Sequence, residues 1–157
     1  MSVDMRGMIT AALTTPLQQA RPFEKWGVAA VPGWQPLPDV LLHNQAKLGL
    51  TATDMLVLAN VLSHWWYADE KPFPRVTTIA RRMDVTSRTV QRSLQKLSDK
   101  GFLQRRKATS RDGTEREVLD PTGLVNALGK LAIRDPSYRY KTRKLQEDRG
   151  GTLEAPF

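Results

Sequence analysis

The chain has 157 residues, 40% of them hydrophobic and 25% charged, a globular composition slightly lean in apolar content. Lys and Arg outnumber Asp and Glu by 24 to 16, giving a formal charge of +8 and a pI near 10.1, so a polyanionic partner is expected, either nucleic acid or an anionic membrane surface. The absence of cysteine excludes a disulfide scaffold, a thiolate metal site and a cysteine nucleophile. No run approaches the roughly 18 apolar residues of a membrane span, and Asp4 and Arg6 flank too brief an apolar patch for a secretory signal. A soluble, cytoplasmic protein with no membrane partner is expected.

Residues 1–36 hold Pro16, Pro22, Pro32 and Pro36 together with Gly7, Gly27 and Gly33, a density of breakers that argues against a long regular element. Ile9, Leu13 and Leu17 nevertheless recur at four-residue spacing, and Phe23, Trp26 and Trp34 are too apolar for a linker. The segment reads as a partly ordered N-terminal arm with one short helix, used for packing or dimerisation. Asp39 is placed to cap a short helix running to about Leu48 and ended by Gly49. Thr51 and Asp54 stand three apart, as a capping box does, ahead of a helix over Met55 to Trp66. That helix is apolar over most of its circumference, the pattern of a core helix or of half a dimer interface, with core the stronger reading. Tyr67 to Pro74 reads as a loop.

The charge then becomes uneven. Residues 71–107 carry eleven Lys and Arg against only Asp84 and Asp99, net +9, whereas residues 37–70 are net −3. A helix from Arg75 turns Ile79, Ala80 and Met83 inward, and Asp84 opens a short turn in which it can take the left-handed conformation. Thr86 is an N-cap for a second helix through Lys100, which Gly101 terminates. Val90, Leu94 and Leu97, with small Ser93 beside them, form its buried face and pack at Ala80, which makes the pair a helix-turn-helix. Phe102 and Leu103 open a strand, Asp112-Gly113 marks a hairpin, and Glu115 to Leu119 returns. Asp120-Pro121 supplies an N-cap and first-turn proline for a last helix with the stripe Leu124, Val125, Leu128, Leu131 and Ala132. The expected fold is mainly α with a small two-stranded β-hairpin, a winged helix-turn-helix over residues 37–133. Residues 134–157, with Tyr138, Arg139, Tyr140, Lys141, Arg143 and Lys144, read as a basic, flexible C-terminal tail.

On the residues PFP at 72–74, IARRMDVTSRTVQRSLQKLSDKGFL at 79–103 and DPTGLVNALGKLA at 120–132, this stretch resembles a known family. It is similar to the winged helix-turn-helix DNA-binding domains of bacterial, plasmid and phage regulators and replication-initiator-like proteins. Two positions depart from the pattern: Asp84 stands where the turn usually has Gly, and Arg75 where a capping Ser or Thr is common. The resemblance implies a DNA-binding domain.

Stepping 100° per residue from Val90 puts Arg88, Arg92, Gln95 and Asp99 within about 40° of the outward face of the second helix. Arg88 and Arg92 suit bidentate contact with guanine, and Gln91 with adenine, as base readers in the major groove. Ser87 and Thr89 at the helix N-terminus, and Lys96 further along, are expected on the DNA backbone. So are Arg81 and Arg82 from the first helix and Arg105, Arg106, Lys107 and Arg111 from the wing. His43 and His64 are the only histidines and have no Cys to join them, and no Gly-rich phosphate loop, nucleophile elbow or HExxH pattern occurs. No metal, cofactor or catalytic role is therefore expected. The leading expectation is a sequence-specific, non-enzymatic protein on double-stranded DNA, a homodimeric transcriptional regulator. The alternative is a plasmid or phage replication-initiation or maintenance protein on repeated origin sites, with other regulatory or replication proteins as further partners. A protein-interaction module with a basic docking face is the third reading.

Overall fold

The computed structural model describes residues 21–149, and the chain divides between Pro36 and Leu37 into two units. The expected helical spacing of Ile9, Leu13 and Leu17 lies outside the described residues. Within the first unit, α1 (Arg21–Trp26) passes into a single 3-10 turn (Gly27–Ala30), and Trp26 and Val28 are exposed.

The second unit begins with α2 (Asp39–His43), shorter than expected, because residues 44–49 form turns and Gly49 adopts a positive φ of 67°. The capping box forms as the sequence indicates: the Asp54 amide donates to the Thr51 hydroxyl and the Thr51 amide donates to the Asp54 carboxylate. It starts α3 (Ala52–Leu62), which is a core helix, with Val57, Leu58, Val61 and Leu62 buried. The helix ends four residues before the expected Trp66. The Ser63 hydroxyl donates to the Asn60 carbonyl, offering the last turn a side-chain partner in place of a continuing ladder. His64, Trp65 and Trp66 consequently lie in the turn after α3.

The helix-turn-helix comprises α4 (Val76–Met83) and α5 (Ser87–Asp99). Asp84 between them has φ 52° and ψ 46°, the left-handed conformation expected of it, and the Thr86 hydroxyl accepts from the Thr89 amide as an N-cap. Ile79 and Ala80 of α4 and Val90, Ser93, Leu94 and Leu97 of α5 are buried, joined in one core with residues of α2, α3 and the later elements.

The hairpin pairs β1 (Gln104–Thr109) with β2 (Glu115–Asp120) antiparallel, Gln104 opposite Asp120 and Thr109 opposite Glu115. Its first strand starts later than the sequence suggests. The amides of Phe102 and Leu103 both donate to the Leu97 carbonyl, so these two residues wrap the end of α5 and bury their side chains. Gly113, at φ 80°, turns the hairpin. The Leu119 amide donates to the Pro72 carbonyl at 2.8 Å, fastening the 67–74 loop to the root of the wing.

In α6 (Thr122–Ile133), Pro121 holds the cap position and Asp120 reaches over it, its Oδ1 accepting from the Thr122 amide and hydroxyl. Leu124 and Leu128 face the core, whereas Val125 and Ile133 are exposed. Within the segment expected as a basic, flexible tail, the stretch Tyr138–Arg149 forms a helix, α7. That stretch has no Gly or Pro, and the Asp135 carboxylate accepts from the Ser137 amide to start it. The architecture is a winged helix: mainly helical, with one two-stranded antiparallel hairpin.

Candidate nucleic-acid interface

The candidate interface is α5 with its flanks, and its sequence explains its orientation. Apolar or small residues at 90, 93, 94 and 97 tie one face to the core, which leaves Arg88, Gln91, Arg92 and Gln95 on the exposed face. Among the described residues Arg88, Gln91 and Arg92 have no hydrogen-bond or ion-pair partner, so their donors are available to a ligand. Gln95 is engaged, its amide donating to Asp99 at 2.8 Å. Ser87 opens the helix, whose first-turn amides point away from it, while the Thr89 hydroxyl lies 3.0 Å from that of Thr86.

Lys96 stands differently from the role first expected of it. Its ammonium lies 2.6 Å from Asp54 Oδ2, and the Ser93 hydroxyl donates to Asp54 Oδ1 at 2.7 Å. Lys96, one turn beyond Arg92, is thereby neutralised, and α5 is clamped to α3. Asp54 is 4% exposed. Burial alone raises a carboxyl's pKa, but the hydrogen bonds from Lys96, the Thr51 amide and Ser93 outweigh it and hold Asp54 well below the usual carboxylate range.

The other expected cations divide into two groups. Arg81 of α4 is exposed with no partner among the described residues, while Arg82 donates to His64 Nε2 at 3.3 Å. Burial lowers the His64 pKa and the Arg82 charge adds to the effect, which keeps the ring neutral and able to accept. In the wing every expected cation has an acidic neighbour. Arg105 pairs with Glu117 at 3.1 Å, Arg106 with Asp120 at 2.7 Å, and Lys107 lies 3.9 Å from Glu115. Arg111 pairs with Asp69 at 2.9 Å and stacks 3.8 Å above the Tyr67 ring. These pairs are largely exposed, so a polyanion can exchange for their carboxylates at small cost; only Asp120 is buried, its pKa kept low against burial by Thr122 and Arg106.

Sequence reasoning missed two groups here. Asp54 was legible as a cap but not as the anchor of Ser93 and Lys96. Trp66, read as the end of a helix, and Tyr67 and Phe73, read as loop, are exposed aromatic side chains. Among the described residues no three His, Cys, Asp or Glu side chains gather as metal ligands, and no helix is long and apolar enough to cross a membrane.

Residues 37–135 match the model of the DnaD N-terminal domain, a winged-helix, replication-related family. No curated protein matches the chain. Among solved structures, a possible transcriptional regulator from Methanosarcina mazei Go1 is 22% identical, covering 71% of this chain and 85% of that one, with a TM-score of 0.40. A transcriptional regulator of the MarR family from Silicibacter pomeroyi is 19% identical, covering 76% and 84%, with a TM-score of 0.33.

Proposed function

This chain belongs to the DnaD N-terminal domain family, and from that premise we propose that it is a non-enzymatic, cytoplasmic protein that binds double-stranded DNA. The observation that carries the reading is the exposed, uncompensated pair Arg88 and Arg92 on the outward face of the second helix of a helix-turn-helix. The N-terminal half of such a helix enters the major groove, where Arg88 and Arg92 each fit guanine O6 and N7, and Gln91 adenine N6 and N7. Arg81, Ser87 and the α5 amides reach neighbouring phosphates, and the wing cations Arg105, Arg106 and Lys107 exchange their carboxylates for the flanking backbone. Arg82, Thr89 and Arg111 join them from shared positions, and Lys96 reaches the backbone only by dividing its ammonium donors between a phosphate and Asp54.

Family membership favours a role in replication, at repeated sites of an origin, over regulation of a promoter. A homodimer would present two reading helices to half-sites about one helical turn apart. The test is footprinting across the genomic neighbourhood of the coding sequence with the wild type and an Arg88→Ala/Arg92→Ala variant. Direct repeats beside an AT-rich segment, protected by the wild type and unprotected by the variant, support the proposal. Protection identical in both proteins removes α5 as the reader, and an inverted repeat over a promoter replaces replication with transcriptional control.

A further inference from the structure

Trp66, Tyr67 and Phe73 line a cavity of about 140 Å³ with His64 and Glu70, in the segment that follows α3. Trp66 is 68% exposed and Tyr67 53%, a large aromatic surface on a segment whose Pro72 is buried. The segment is also rigid. Pro72 and Pro74 bracket Phe73, the Glu70 amide closes a tight turn onto the Tyr67 carbonyl at 3.2 Å, and the Leu119 amide pins Pro72 to β2.

The surroundings discriminate among ligands. Arg111 already covers the Tyr67 ring at 3.8 Å and Arg116 the Phe73 ring at 4.6 Å, so a cationic ligand meets occupied ring faces and repulsion. Asp69, Glu70 and Asp112 neutralise those two arginines, so an acidic peptide finds little charge to bind within the cavity. A neutral planar ring suits the site: it can stack on Trp66 and use His64 and Glu70 for edge hydrogen bonds. Arg82, hydrogen-bonded to His64, supplies a cation at the margin for a connected phosphate chain. Aromatic faces interleaved with arginines are the general chemistry of single-strand binding.

We propose that the cavity at Trp66 binds an unpaired nucleobase of single-stranded DNA stacked on the Trp66 ring, with an adjoining phosphate on Arg82. The proposal rests on the nucleic-acid reading for the class of polymer but not on α5 as the duplex reader. It gives the domain a second DNA site, engaged when a strand next to the bound duplex is open.

The test compares binding of the full chain to a 12-residue oligothymidylate and to an abasic 12-residue strand of equal charge, at one fixed salt concentration. The wild type is expected to prefer the thymidylate by about tenfold, Trp66→Ala to lose most of that preference, and Trp66→Phe to keep part of it. Duplex binding by Trp66→Ala, measured alongside, is expected to equal that of the wild type, and its circular dichroism shows whether this exposed position leaves the fold intact. Equal affinity of the wild type for the two strands overturns the proposal. So does an unchanged thymidylate preference in Trp66→Ala, or a parallel loss of duplex binding, which would place Trp66 on the duplex. A failed duplex reading appears separately, as absent footprints with the thymidylate preference retained.

Discussion

Asp54 combines a helix cap with a buried carboxylate. Its two oxygens take the Thr51 amide, the Ser93 hydroxyl and the Lys96 ammonium, so one residue both starts α3 and docks α5. Half of this is local and legible, since a capping box is a spacing of three residues. The partners at 93 and 96 are distant in sequence and carry no pattern that points to Asp54. Asp54→Asn is expected to cost about 2 kcal/mol at neutral pH, the loss of a buried, charge-assisted site discounted because the Lys96 side chain is 41% exposed. The folded-state pKa lies below the ordinary 3.8, so the stabilisation is complete above that value and is lost as pH falls below it toward the folded value. Urea unfolding at pH 7 and at pH 3 checks this: the gap between variant and wild type should narrow at pH 3, and a constant gap contradicts the assignment.

At the scale of elements, the joint between α5, the wing and α6 depends on two glycines that approach each other. Gly101 leaves α5 with φ 72°, and a Cβ on Gly123 would stand 1.8 Å from the Gly101 carbonyl oxygen. The Leu124 amide donates to the Phe102 carbonyl across the same joint. Gly101 is readable in the sequence as a helix terminator. Gly123 is not, because it lies inside a helix with ordinary φ and only a neighbour distant in sequence excludes its side chain. Gly123→Ala is therefore expected to destabilise by about 3 kcal/mol, although alanine is the better helix former, since the obstacle is backbone and cannot rotate away. A lowered urea midpoint checks this; a stabilised variant would show that helix propensity governs the position. The wing itself was legible from Asp112-Gly113 and its alternation, but its starting residue was not, because Phe102 and Leu103 go to the core.

For the molecule as a whole, charge is segregated, net +9 over residues 71–107 following net −3 over residues 37–70. Folding uses part of that excess internally: Lys96 goes to Asp54, Arg105 to Glu117 and Arg106 to Asp120. DNA binding with about six neutralised phosphates predicts a slope of log K against log salt near −5. Titration of fluorescent duplex between about 50 and 200 mM salt measures it. A slope near zero would mean that the basic face does not meet the backbone.

Over residues 37–133, the order and type of the elements, the caps at Thr51 and Thr86, the left-handed Asp84 and the hairpin at Gly113 follow from the sequence alone. Each depends on residues within about four positions of one another or on a helical or strand period. Tertiary structure alone decided which cations stay uncompensated among the described residues and which arginines of the wing cover the rings of Tyr67 and Phe73. The carboxylates that silence Lys96 and Arg111 arrive from 42 residues away, and the one on Arg106 from 14. Electrostatic pairing follows distance in space, which folding sets and sequence spacing does not record.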